Sequence, residues 1–460
     1  MPPAREKRRP FLMIAGDLAT PGEPTAIDAR DLPAAWRRAE REAGDRPFAL
    51  YGQDRALFRV GLQPPAPFAH ISGATAVALT PDGERLAIGH GGRVRMYEPK
   101  SEALLWERHL GNSPVDAFVL PRRAPYLVAC TRAGEVWVLD RDRGEPILHV
   151  ADDDARAVAL SPDDRTLAVA GLAVDLWSLP DGVRIGTLDL DVGAAIQAAR
   201  AVDDALDGDD GDAVNEGVYA VGFAGDGEHV IGVRSRQGGE LVIWNARTAS
   251  RVAARPGIAV QRLVTSSSGT GALVRVHDEA SMVRSLEVPT LRFSSVMVTG
   301  AEGLWDLRLT PDDRFVLAHD EETGLYVIDR STGEAHAWLD EFEACAYVVR
   351  NSRSAERARK RKDASANDDT HVVALPRWGR NDPGAPISSD GSRYAALRRH
   401  HDDRLVALFD LARCAPYAAL AHAAPAVSVW LDGSGRLAAT RDADGRIYLW
   451  SLPEVSATLA

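Results

Sequence analysis

The chain has 460 residues and a formal net charge of −12, from 54 Lys and Arg against 66 Asp and Glu. Hydrophobic residues at 45 % and charged residues at 26 % are the mix of a folded chain and exclude a disordered one, and the negative balance argues against a broad, nonspecific nucleic-acid binder. Cys130, Cys345 and Cys414 are odd in number, far apart and without CxxC spacing, which speaks against a disulfide framework or a zinc site and for reduced thiols in a cytoplasmic protein.

A basic start, Met1 to Pro10, precedes the apolar Phe11-Leu-Met-Ile-Ala15. That run is too short for the hydrophobic region of a signal peptide, and no later run approaches the roughly 18–20 apolar residues of a membrane helix. Residues 31–44 read as one helix, with Asp31 as N-cap, Pro33 in the first turn and Gly44 at the end. Leu32, Trp36, Ala39 and Ala43 form one narrow stripe, which suits docking on the main domain better than an independent partner-binding face. Pro47-Phe-Ala-Leu-Tyr51 and Ala56-Leu-Phe-Arg-Val60 read as paired strands. Residues 1–72 are therefore an extension that either adds strands to the rest or caps it.

From residue 73 onward one phrase recurs: an apolar strand, a Ser/Thr-Pro-Asp turn, a second apolar strand. Copies are Val77-Ala-Leu-Thr-Pro-Asp-Gly83, Val158-Ala-Leu-Ser-Pro-Asp-Asp164 and Leu307-Arg-Leu-Thr-Pro-Asp-Asp313. Weaker copies are Gly222-Phe-Ala-Gly-Asp-Gly227, Ile387-Ser-Ser-Asp-Gly391 and Trp430-Leu-Asp-Gly-Ser-Gly435. Pro presets φ at the first corner, and Asp and Gly supply the side-chain hydrogen bond and the positive φ of the reversal. A third strand follows each hairpin and ends in a large apolar residue and then a small polar or acidic one: Tyr97-Glu98, Leu139-Asp140, Trp177-Ser178, Trp244-Asn245, Leu286-Glu287, Ile328-Asp329, Phe409-Asp410 and Trp450-Ser451. A fourth, outer strand comes next, as in Ala103-Leu-Leu-Trp-Glu107, with Val455-Ser-Ala-Thr-Leu459 as the last. The period is about forty residues, interrupted by insertions at about 191–215 and 341–383.

Four strands per forty residues predict an all-β fold, a single β-propeller of four-stranded blades. Eight blades fit best, with seven or nine as alternatives. The third-strand endings and the hairpin phrase resemble the WD40-like repeat family, in a degenerate form of the kind seen in bacterial members. No copy has a literal Trp-Asp pair and the Gly-His dipeptide is missing. The resemblance therefore leaves the family's Asp-His-Ser/Thr-Trp hydrogen-bond network unsupported. If the last blade is complete, the ring closes by packing of first on last; if not, an N-terminal strand completes it.

The insertions carry opposite charge. Asp203, Asp204, Asp207, Asp209, Asp210 and Asp212 crowd the first, but an EF-hand template with Gly208 at position 6 puts Ala205 at 3 and Val214 at 12 and fails. The second holds Arg353, Arg357, Arg359, Lys360, Arg361 and Lys362 between two strand-like flanks, 346–350 and 371–375, read as a long hairpin. Its tip would suit an anion, although no aromatic residue is present to stack bases and a solvated loop is the weightier reading.

No nucleophile elbow, P-loop, metal spacing or cofactor motif is present. His400-His401-Asp402-Asp403 reads as a polar hairpin turn. The reading is a non-catalytic scaffold that docks one or more proteins, without nucleic acid or membrane. The links between second and third strands share one face, and there Arg132, Arg236, Arg399, His400 and Arg441 would meet an acidic partner. The alternative is a propeller hydrolase, lactonase- or peptidase-like, whose residues gather at the channel mouth without a local motif.

Overall fold

In a computed structural model, which describes residues 10–15, 23–29, 32–43, 48–51, 57–62, 65–151, 155–188, 217–234, 239–258, 260–266, 271–276, 282–298, 304–320, 324–330, 332, 335–338, 347–349, 386–397, 405–412, 415–422 and 424–452, the recurring phrases are tight hairpin turns. Their chemistry is the same in four copies. The hydroxyl of Ser161 donates to the Asp163 carboxylate (2.6 Å) and accepts from the Thr166 N–H (2.9 Å), while the same carboxylate accepts from the Arg165 N–H (3.1 Å). Thr80 with Asp82, Thr310 with Asp312 and Ser388 with Asp390 repeat the arrangement. The next residue is left-handed in each: Gly83 at φ 69°, Asp164 at 60°, Asp313 at 59°, Gly391 at 70°. Burial pushes the Asp82 carboxyl up. The Thr80 hydroxyl, the Glu84 N–H and the Arg141 and Arg85 charges outweigh it and hold the group below the usual carboxylate range.

These hairpins build eight antiparallel sheets around a central channel, an eight-bladed propeller as the repeat count predicts. The blades, in chain order, begin with the inner strands Ala76–Leu79, Val115–Val119, Ala157–Leu160, Val218–Phe223, Val260–Thr265 and Leu304–Leu309. Blade 7 opens on a single bridge, Ile387 with Tyr394, and blade 8 on Ala426–Leu431. The small polar residue that ends a third strand caps the turn that follows. Asp140 accepts from the N–H groups of Asp142 (2.9 Å) and Arg143 (2.8 Å), and Asn245 from those of Arg247 and Thr248 (both 3.0 Å).

The apolar clusters lie between blades. Leu86, Ile88, Met96 and Val115 join blades 1 and 2, and Val174, Leu188, Val230 and Trp244 join blades 3 and 4. Trp106 of blade 1 lies across the blade 2 turn and donates its indole N–H to the Arg141 carbonyl (2.8 Å). A Cβ on Gly144 would come within 2.5 Å of that ring, so the turn needs glycine there.

The ring closes by direct packing of blade 8 on blade 1. The Gly73 and Ala74 N–H groups donate to the carbonyls of Asp444 (3.2 Å) and Gly445 (3.1 Å), and Trp430, Ala439 and Ile447 share a core with Val77 and Ile88. Three strands of blade 8 are described, and the sequence-predicted outer strand at 455–459 lies outside the described residues.

The N-terminal strands join the ring elsewhere. Leu57–Leu62 pairs in parallel with the outer strand of blade 7, Ala415–Ala421, and Phe48–Tyr51, Phe11–Ala15 and Pro24–Ile27 extend that sheet outward. The apolar run Phe11–Ala15 is thus a strand. It alternates: Phe11 and Met13 face the helix Leu32–Ala43 through Ala35, Ala39 and Ala43, while Ile14 packs into the core of blades 7 and 8. The side chain of Trp36 lies outside the described residues.

Tyr347–Val349 is a fifth strand of blade 6, antiparallel to the fourth, Ala335–Trp338. Residues 371–375 lie outside the described residues, as do 191–215 and the basic run Arg357, Arg359, Lys360, Arg361 and Lys362.

Candidate functional site

Each blade is an up-and-down meander, so inner strands start on the face where second strands turn into third. At that mouth of the channel five inner strands carry a β-bulge. In blade 2, Val115 pairs with Thr131 and Ala117 with Cys130, which leaves Asp116 as the extra residue. The same two-against-one count leaves Tyr219 in blade 4, Gln261 in blade 5, Trp305 in blade 6 and Val427 in blade 8. A bulge re-aims a side chain away from the regular alternation, and bulges are enriched at functional rims. Among the described side chains they bring Asp116, Tyr219 and Val427 to one end of the channel.

Two of the basic residues singled out in the sequence converge on the first of these. Arg132, in the link after Tyr126–Thr131, donates to the Asp116 carboxylate at 2.9 Å, and its side chain is 66 % exposed. Arg441 differs from the expectation. It lies within the second strand of blade 8, Leu437–Asp442, and is largely buried against blade 1, where it donates to the Ala74 carbonyl (3.3 Å). Burial pulls its guanidinium below the ordinary range, and the negative charges of Asp116 and Asp442 oppose the shift. Arg132 thus offers its charge to solvent at the mouth, while Arg441 is part of the ring closure. Arg236, Arg399 and His400 lie outside the described residues.

Around this pair the mouth is mixed. Tyr219 donates its hydroxyl to the Val260 carbonyl of the next blade, and Val427 (38 %) and Leu172 (52 %) are exposed apolar side chains. Among the described residues no three His, Cys, Asp or Glu side chains gather as a metal ion would need. The bulges were missed in the sequence because alternation reads the face of a strand and not an extra residue in it. The available signal was a count: a bulged inner strand is one residue longer than its partner between the same link and turn.

The hydrogen-bond network left unsupported by the sequence exists in part, in blade 8. His422 Nε2 lies 2.7 Å from the Thr440 hydroxyl, which also accepts the Trp450 indole N–H at 2.8 Å. Asp442, fully buried, accepts the Tyr448 hydroxyl (3.2 Å) and the Arg446 N–H (2.8 Å). Ala421 stands where the repeat has glycine, so the dipeptide search passed over His422. The network fixes the last blade rigidly behind Arg441.

No family model matches the chain, and no curated protein matches it significantly. Solved structures do match in fold. The C-terminal WD40 domain of Sif2 superposes with a TM-score of 0.58 at 11 % identity, covering 85 % of this chain and 99 % of that one. The Dos1 propeller gives 0.55 at 16 % identity, covering 85 % and 95 %, and the computationally designed Ika8 protein gives 0.55 at 13 %, covering 85 % and 99 %. At these identities the likeness speaks for architecture alone, and by that architecture the chain is an eight-bladed β-propeller.

Proposed function

We propose that the protein is a non-catalytic interaction scaffold that docks a partner protein on the channel mouth bearing Asp116, Arg132, Tyr219 and Val427. The observation that carries the reading is the set of bulges, which collects different residue types on one rigid rim. Such a mixture suits a protein surface. A hydrolase would instead need convergent acid, base and nucleophile. The partner is acidic where it meets Arg132, the solvent-facing cation of the pair, and the chain works in a reducing compartment, in keeping with the buried thiol of Cys130, which is in no disulfide. The test is affinity capture from native lysate with the tagged full chain and with R132E, bound proteins being identified. A stoichiometric protein partner retained by the wild type and lost by R132E supports the reading. A chain that captures none and turns over an ester or lactone contradicts it.

A further inference from the structure

The outer strand of blade 7 shows what covers an outer edge in this protein. Its residue Tyr417 is a bulge, extra between the pairs Phe409 with Pro416 and Leu408 with Ala418. The three residues after it, Ala418, Ala419 and Leu420, pair in parallel with Val60, Gly61 and Leu62. Tyr417 is only 1 % exposed, in the core that Ile14 of the added sheet shares with blades 7 and 8.

Blade 4 repeats this edge. Val252 is the extra residue of Ser250–Pro256, between Trp244 with Arg251 and Ile243 with Ala253. The register equates Val252-Ala-Ala-Arg255 with Tyr417-Ala-Ala-Leu420. Among the described residues no strand lies beyond it, and Val252 is 44 % exposed. The other outer strands lack the match. Blade 3 has Gly186 after its bulge, which weakens a strand, and blade 1 has Trp106, turned onto the neighbouring blade.

We propose that the outer edge of blade 4 accepts an added strand from a partner protein, an extended acidic segment with alternate apolar residues. The unpaired backbone of Ala253, Ala254 and Arg255 supplies the ladder, as the equivalent residues do in blade 7. Val252 supplies the apolar contact that Tyr417 makes there. Charge selects the partner: Arg251 and Arg255 are exposed, the strand has no acidic residue, and Arg247, 78 % exposed, stands on the adjoining turn with Glu228 as its ion-pair partner. On a chain of net charge −12 this edge is a local basic strip. Edge strands with exposed β-branched residues otherwise invite nonspecific pairing, and charge of one sign restricts it. The site is separate from the channel mouth.

The test uses the full chain and a fluorescent ten-residue peptide alternating Glu and Val, with an alternating Lys and Val peptide as control, read by anisotropy. The acidic peptide should bind and the basic one should not. R251E should weaken binding about threefold to fivefold, as the loss of one exposed charge pair does, and V252D should abolish it, with unchanged circular dichroism for both variants. Equal binding of the two peptides, or binding indifferent to R251E and V252D, overturns the proposal. Binding that appears only when Asp203, Asp204, Asp207, Asp209, Asp210 and Asp212 are replaced by Asn also overturns it, and assigns the edge to the chain's own acidic run.

Discussion

The carboxylate of Asp164 in blade 3 accepts the backbone N–H of Arg123 in blade 2 at 2.8 Å, from a residue whose own backbone is left-handed at φ 60°. It also accepts from Arg122 (3.0 Å) and Ala124 (3.2 Å), and the Tyr126 hydroxyl donates to its carbonyl. Glycine fills the equivalent place in blades 1 and 7. Here the conformational cost of a side chain is offset by three bonds across the seam. D164G should relieve roughly 1 kcal/mol of backbone strain and lose more in hydrogen bonds, for a net loss of about 1–2 kcal/mol. D164A keeps the strain and should lose about 3 kcal/mol. Urea unfolding of the three proteins orders them; D164G at or above wild type would contradict the account.

Thr440 joins two buried groups at once, accepting the Trp450 indole N–H and lying within hydrogen-bond distance of His422 Nε2. T440V keeps the volume and removes the acceptor of the Trp450 indole. It should cost about 2–4 kcal/mol, against less than about 1 kcal/mol for an isosteric change at an exposed strand position. Trp fluorescence during urea unfolding reads the difference.

The turn aspartates predict the acid response. Burial raises Asp82, Asp163, Asp226 and Asp390, but hydrogen bonds outweigh it and leave all four below the ordinary range. A carboxylate depressed in the folded state contributes stability that is present above its unfolded value, about 3.9, and is lost as pH falls through the folded value. Stability should therefore be level from neutral pH to about 5 and decline below about 4. Replacing Ser161 or Ser388 by Ala should lower stability at neutral pH and make the acid decline shallower, because the folded carboxyl of Asp163 or Asp390 then lies nearer its unfolded value. A decline of unchanged size would show that these turns do not govern it.

The two faces of Phe11–Ala15 do different work. Ile14 packs into blades 7 and 8, and Met13 faces the helix. I14D and M13D each bury a charge and should each cost several kcal/mol. Only I14D should increase hydrogen exchange in 426–431 and 447–451. Equal effects there would mean that the N-terminal sheet is not part of the ring's core.

These residues show what was legible in the sequence. The hairpin phrase encodes its own hydrogen bonds, in Thr80 with Asp82 and Ser161 with Asp163, so the repeat and the propeller could be read directly. The placement of the N-terminal strands could not, because the pairing of Val60 with Ala418 is a backbone relation between segments remote in sequence. Nor could the difference between Arg132 and Arg441. Both are arginines near the end of a second strand, and only the contact with Ala74 across the ring closure buries the second.

The most direct test of the central claim is hydrogen exchange on the full chain with and without its captured partner. Binding at the channel mouth should slow exchange in 115–119, 131–135, 217–220 and 426–428, and leave the hairpin turns at 80–85 and 161–166 unchanged. Protection confined to those turns, on the opposite face, would contradict it.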